Sequence, residues 1–195
     1  LVAFSGIKNI LVENRFISSQ TIGDSMHVLP FEVALDFPLY QSNKGLYFIG
    51  QTPILNGESQ NALALLCNPS DSGRLIYVNA ITLTNLSDEN LAAEFYLMAK
   101  FDHGKKSDLV SSTNTAICPI SKPVGTIKYF LPPVPTPTNG VSIFSRIVPP
   151  HSTLVVDGGQ IILGERQSLS IFIGGFCPVS FDGIRFAFGW SEKEL

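Results

Sequence analysis

Charge is in short supply along this chain. Only 15% of the 195 residues are charged, 13 Lys and Arg against 16 Asp and Glu, for a formal net charge of −3. A soluble domain ordinarily carries about 25%. There is no basic cluster beyond the pair Lys105-Lys106, so nucleic acid is not an expected partner: neutralising phosphates needs grouped Lys and Arg. No apolar run approaches the ~20 residues of a membrane-spanning helix. Only 3 His and 3 Cys are present, with no CxxC pair, no His-x-His, no DxDxDG loop and no GxSxG elbow. Gly158-Gly159 and Gly174-Gly175 turn strands and lead into no helix, so they are not phosphate cradles. No catalytic residue, no cofactor site and no metal site is expected, and the chain is not read as an enzyme.

The acidic residues fit that reading. Asp71, Asp88, Asp108, Asp157 and Asp182 all fall in expected turns, where an aspartate serves the turn itself. His103 lies in Phe101-Asp102-His103-Gly104-Lys105-Lys106, an expected hairpin turn, and His151 follows Pro149-Pro150 at a strand start. His27 lies in a polar stretch before Pro30. Asn85-Leu86-Ser87 matches a glycosylation acceptor.

What is present is apolar. Hydrophobic residues make up 45% and mean hydropathy is +0.24. With so few charges, part of this surface is expected to be buried against another subunit, the alternative being a large core under Ser, Thr, Asn and Gln. The aromatic set is 14 Phe, 5 Tyr and one Trp. Phe dominance favours a filled core, because Phe lacks the polar handle of sugar-binding Tyr and Trp. A stacking platform of Tyr40, Tyr47 and Phe48 is the competing reading.

Helix signals are nearly absent. Ser87-Asp88-Glu89-Asn90 resembles a helix start, yet Glu94 to Phe101 is aromatic-rich and alternates, so a loop followed by a strand is expected. Strands are expected at Leu46–Ile49, Ala62–Cys67, Arg74–Thr84, Thr126–Leu131, Val141–Val148, Thr153–Val156, Gln160–Leu163, Ser168–Ile173 and Ile184–Trp190. Clusters such as Asn68-Pro69-Ser70-Asp71-Ser72-Gly73 separate them. Both faces of Arg74–Thr84 are apolar, which predicts a central strand or one packed on both sides. Ile184, Phe186, Phe188 and Trp190 alternate against Arg185, Ala187 and Gly189. Pro132–Pro137 is expected as an extended loop within one fold. Short strands cut by Gly and Pro predict an all-β fold, a jelly-roll-like sandwich with an extended N-terminal arm.

Two units follow: residues 1–30 as an arm or edge strand, and 31–195 as one sandwich domain. Phe31, Val33, Leu35 and Phe37 alternate against Glu32, Ala34 and Asp36 and predict a half-buried strand. The stretch before it has no strong period. Leu1, Phe4, Ile7, Ile10, Val12 and Phe16 are its candidate contacts to a neighbour, made by adding a strand to an open sheet edge. The chain holds no intact signal peptide, and it opens on Leu1 without an initiator Met, so its start is expected to be processed, trimmed or not seen. Cys67, Cys118 and Cys177 all sit in or beside apolar runs. They are read either as buried thiols or as cross-links between subunits of an extracellular assembly.

Ile147 to Asp157, Ile161 to Ile171, Phe186 to Glu192 and Ile76 to Asn85 carry a resemblance. Their grammar of strands and turns resembles small jelly-roll proteins of Gram-positive spore-formers, including subunits of endospore appendages and related surface fibres. The likeness covers residues 60–192. It implies subunits that stack into a fibre, an N-terminal arm that engages the neighbour, and cysteines that sometimes cross-link. Arm cysteines are frequent in those subunits, whereas residues 1–66 here hold none, so the arm would act without a covalent link. The expected function is a self-assembling structural subunit of a fibre, appendage or coat, at the cell or spore surface or otherwise extracellular, with copies of itself as partners. A phage or viral jelly-roll capsid or tail protein of the virion, and a carbohydrate- or receptor-binding module, are the alternatives.

Overall fold

Branched and aromatic residues running between Gly- and Pro-rich turns leave the chain little choice but strands, and strands dominate the computed structural model. It describes residues 35–56, 61–101, 103–131, 134–174 and 181–195, with the side chains of 158–159 left aside. The order is α1 (Phe37–Asn43), β1 (Tyr47–Gln51), β2 (Ala62–Cys67), β3 (Arg74–Asn85), β4 (Leu91–Leu97), β5 (Lys105–Lys106) and β6 (Val110–Ser112). It continues with β7 (Thr126–Tyr129), β8 (Val141–Val148), β9 (Ser152–Leu163), β10 (Ser168–Ile173) and β11 (Ile184–Glu194).

Two sheets result, ordered β6-β1-β11-β3-β9 and β5-β7-β2-β10-β4-β8. Every pairing of named strands is antiparallel. With the short β5, β6 and β7 set aside, consecutive strands divide between the sheets: β1 and β2, β3 and β4, β8 and β9, β10 and β11. That weave is a jelly roll, so the expected all-β sandwich stands. Residues between β4 and β8 form an insertion whose small strands extend both sheets along one flank.

The inner faces meet in one core whose largest fully buried side chains are Trp190, Phe48, Phe95 and Phe186. Phe48 and Trp190 tilt against each other across β1 and β11, with ring centroids 6.0 Å apart. Inward Ile184, Phe186, Phe188 and Trp190 match the expected alternation. Each buried side chain of this kind contributes about 1.5–3 kcal/mol.

β3 is a central strand, as expected, with β11 on one edge and β9 on the other; the reason its two faces read apolar, and three further readings, need correction. On β3 the buried residues are Ile76 and Val78, then Ile81 and Leu83. The register against β11 shifts between Gly189 and Trp190, where Asn79 has no partner. One extra residue reverses the parity, so both faces read apolar because the pattern switches at Asn79. Second, Thr153–Val156 and Gln160–Leu163 are one strand, β9, not two. Its partner Val78 faces Ile161 while Ala80 faces Asp157, so Asp157 and the glycines form an irregularity within the strand instead of a turn. Third, Lys105–Lys106 pairs with β7 as a small edge strand where a hairpin turn was expected. Fourth, Phe37 opens the helix α1, with Pro38 in its first turn, instead of ending a strand. Leu35 and Asp36 are not in a strand either, and residues 31–34 of that expected strand lie outside the described residues.

Candidate functional site: an open face and an open flank

The outer face of the β1 sheet is built from residues that point away from the core. Register places Tyr47, Ile49 and Gln51 of β1 beside Ser191, Gly189 and Ala187 of β11, and Ala187 and Gly189 beside Thr82 and Ala80 of β3. Small residues in the middle and long ones at the side make a groove of ≈ 670 Å³. Its floor is Ala80, Ala187 and Gly189, and its walls are Tyr47, Ile49 and Leu109. A Cβ at Gly189 would stand 2.8 Å from the Tyr47 hydroxyl, so glycine there lets the phenol lie close to the sheet. Partial burial raises the Tyr47 pKa above its ordinary 10.0. Ile49 is 51% exposed, and Val155 on β9 is 60% exposed.

The second feature is the contrast between flanks. On one side the sheets end in β6 and β5, three and two residues long. The charged pair Lys105-Lys106 and the shortness of both strands are the usual protection of an edge. On the other side they end in β8, with eight residues, and β9, with twelve. No strand among the described residues pairs with their outer edges. Val141 and Ile147 of β8 are exposed, with 52% and 64% of their surfaces open. Ile143, Phe144, Leu154, Val156 and Ile161 on these strands are only partly buried against the core.

Buried polar groups have structural work. The Glu192 carboxylate is fully buried. It accepts hydrogen bonds from the backbone N–H of Val124 (2.9 Å) and Gly125 (2.8 Å), from the Trp190 indole N–H (3.1 Å) and from Arg74 Nη1 (3.2 Å). These donors compensate the burial of its charge and pin the loop before β7 onto β11. Asn85 donates to the carbonyls of Glu89, Val148 and Pro149 and accepts from the backbone and hydroxyl of Ser87. It ties the β3–β4 loop to the β8–β9 loop. Asn85 is fully buried, so the acceptor tripeptide Asn85-Leu86-Ser87 offers no accessible amide in the folded chain. The Glu192 node carried no motif beyond a Glu near the end of an apolar strand, and the motif at Asn85 was the acceptor tripeptide, which pointed to a different chemistry.

The remaining candidates are dispersed. His151 Nε2 lies 2.7 Å from Asp88 Oδ1, both largely exposed. His103 is exposed beside Phe101 and Phe130, and His27 lies outside the described residues. Asp71 and Asp182 occupy a turn and a bend, and Asp108 sits at the groove rim. Among the described residues no three of His, Cys, Asp and Glu gather as a metal site. Tyr47 and Phe48 face opposite sides of β1, Phe48 in the core, and the Tyr40 ring on α1 takes Lys44 Nζ at 4.4 Å. The aromatic platform therefore does not assemble.

Cys118 is an exposed free thiol and Cys67 is a partly buried one. Burial pushes the Cys67 thiol up to about 11, partly offset by the charge of Lys128. Cys177 lies outside the described residues, as do Leu1, Phe4, Ile7, Ile10, Val12 and Phe16. Among the described residues no helix is long and apolar enough to cross a membrane.

Fold and surface together define a jelly-roll sandwich with one guarded flank, one open flank and an open outer face. The chain belongs to a family of unknown function (DUF6143), whose profile matches residues 24–195. That description assigns no activity and nothing in it points to spore-surface fibres. No curated protein matches the chain.

Proposed function

We propose that this protein is a structural subunit that assembles with copies of itself into an extracellular fibre, appendage or coat, at a cell or spore surface. The observation that carries this reading is the open flank. Eight- and twelve-residue edge strands with exposed apolar side chains are what soluble monomers usually blunt, and the described residues blunt only the other flank. An extended segment laid along β8 or β9 would satisfy their free N–H and C=O groups and cover Ile147 and Val141. The N-terminal arm, with Leu1, Phe4, Ile7, Ile10, Val12 and Phe16, is the segment suited to that task. Of the two described cysteines, Cys118 is the exposed one and the better placed to cross-link copies. A capsid or tail protein is the second reading, favoured by the jelly-roll weave itself.

Electron microscopy and light scattering of the full chain test the proposal. Filaments, shells or large oligomers are expected. They should be lost in the double variant Val141→Lys, Ile147→Lys while the urea midpoint stays near that of the parent, because both sites are exposed. A monodisperse monomer at high concentration would overturn it.

A further inference from the structure

We infer that the outer-face groove is the seat of residues 24–34 of the same chain. The inference is independent of assembly through the flank. Four observations converge on it. First, the protein closes its other outer face with its own chain: Leu63, Leu65 and Phe172 are buried beneath Phe101, Phe130 and Val134, whereas the groove of Ile49, Leu109, Ala80 and Ala187 is left open by the described residues. Second, the chain arrives beside it. Phe37, at the start of α1, packs edge-on against Tyr77 of β3, centroids 6.4 Å apart. Tyr77 and the groove wall Tyr47 both pair with Ser191. Ser191 points outward yet is 1% exposed, so this end of the face is already covered and the groove begins at the next outward position along β11.

Third, the segment leading into α1 suits an apolar groove. It reads Asp24-Ser25-Met26-His27-Val28-Leu29-Pro30-Phe31-Glu32-Val33-Ala34, with Val28, Leu29, Phe31 and Val33 to bury and polar groups between them. Extended, such a stretch reaches about 36 Å. Crossing from β6 to β3 needs only ~14 Å at the usual strand spacing. Fourth, the family match starts at residue 24, so this segment belongs with the sandwich while residues 1–23 fall outside the match. Tethering at α1 gives the segment a millimolar-range local concentration (~mM for short linkers) that a free partner rarely matches.

Hydrogen exchange of the full chain, read by mass spectrometry at low and high protein concentration, tests this. The amides of residues 24–34 should exchange at least roughly tenfold slower than unstructured peptide, equally at both concentrations. Ala187→Arg, which fills the groove floor, should abolish that slowing while peptides from β10 keep theirs. Ile49→Lys, at an exposed wall, serves as the second variant if Ala187→Arg does not fold. Exchange at the unstructured rate would overturn the inference. So would slowing that appears only at high concentration, which would assign the groove to a neighbour's segment, and so would slowing that survives both variants. None of these outcomes depends on whether filaments form.

Discussion

The two outer faces of this sandwich have similar chemistry and opposite surroundings. On the β2 sheet, Leu63 is 0% and Phe172 2% exposed under the insertion between β4 and β8. Phe101 and Phe130 pack there at a tilt, with centroids 5.4 Å apart. On the β1 sheet, Ile49, Val155 and Ile162 are each more than half exposed. Strand composition alone does not decide which face is dry. A second piece of chain must be laid over it, and that piece is the connection between β4 and β8, far from either strand in sequence. The same insertion supplies β5 and β6, which guard one flank. One stretch of chain thus makes the sandwich sealed on one face and one flank, and the surfaces it does not reach are the ones available for contact.

The largest effect should come from undoing the seal. Phe172→Ala removes a ring packed between Leu63, Leu65 and the cover, and Phe-to-Ala in a core costs about 3–5 kcal/mol. Urea denaturation should show a shift of that size. A loss below about 1 kcal/mol would mean that the insertion lies loosely on the sheet and that the two faces hardly differ.

Much of this was legible in the sequence. Ala62–Cys67, Val141–Val148 and Ser168–Ile173 are strands with the expected bounds, because Gly, Pro and Asn clusters close on them tightly. The jelly-roll weave was also within reach, since strand count and turn spacing favour a sandwich. What was not legible depends on pairing. A single unpaired residue, Asn79, reverses the face of β3, and alternation cannot locate it when the residues on both sides are apolar. β9 reads as two strands because a Gly-Gly step resembles a turn until β3 is seen spanning it. The seven residues of α1 are too few to show a helical period. The Glu192 node brings together β11, Arg74 and the Val124-Gly125 amides, which lie far apart in sequence. The groove is the clearest case: Ala80, Ala187 and Gly189 become a floor only once β3 and β11 are in register.

A middle-sized effect separates the two described thiols, Cys67 and Cys118, and reports on the seal directly. Cys67 packs against the covered cluster and its pKa is raised from 9.0 to about 11 by burial. At pH 8 roughly one thiol in a thousand is then thiolate, the reactive form. Cys118 is exposed and should be alkylated first, with Cys67 labelled only as the chain unfolds; peptide mapping by mass spectrometry distinguishes them. The sign of the linked stability effect is fixed. Between pH 9 and 11 the unfolded chain loses the Cys67 proton while the folded chain keeps it, so this group makes stability fall as pH rises through that window. Equal labelling of Cys67 and Cys118 at pH 8 would mean that the cover opens freely.

The smallest effect belongs on the open face, and its smallness is the point. Val155 sits on the edge strand β9, outward and opposite Thr82, outside the groove walls of Tyr47, Ile49 and Leu109. Lys at an exposed edge position is a substitution that natural sheets tolerate and use. Val155→Lys in the isolated subunit should therefore change stability by no more than about 0.5 kcal/mol, measured by the same urea titration. A cost of about 2 kcal/mol or more would mean that Val155 is covered in the intact protein, and the contrast between the faces would then stop at the groove. If the cost is small for Val155→Lys but large for Ile49→Lys, the face divides in two. Its groove would be closed by the chain's own residues, and its β9 side would stay open beside the flank where copies meet.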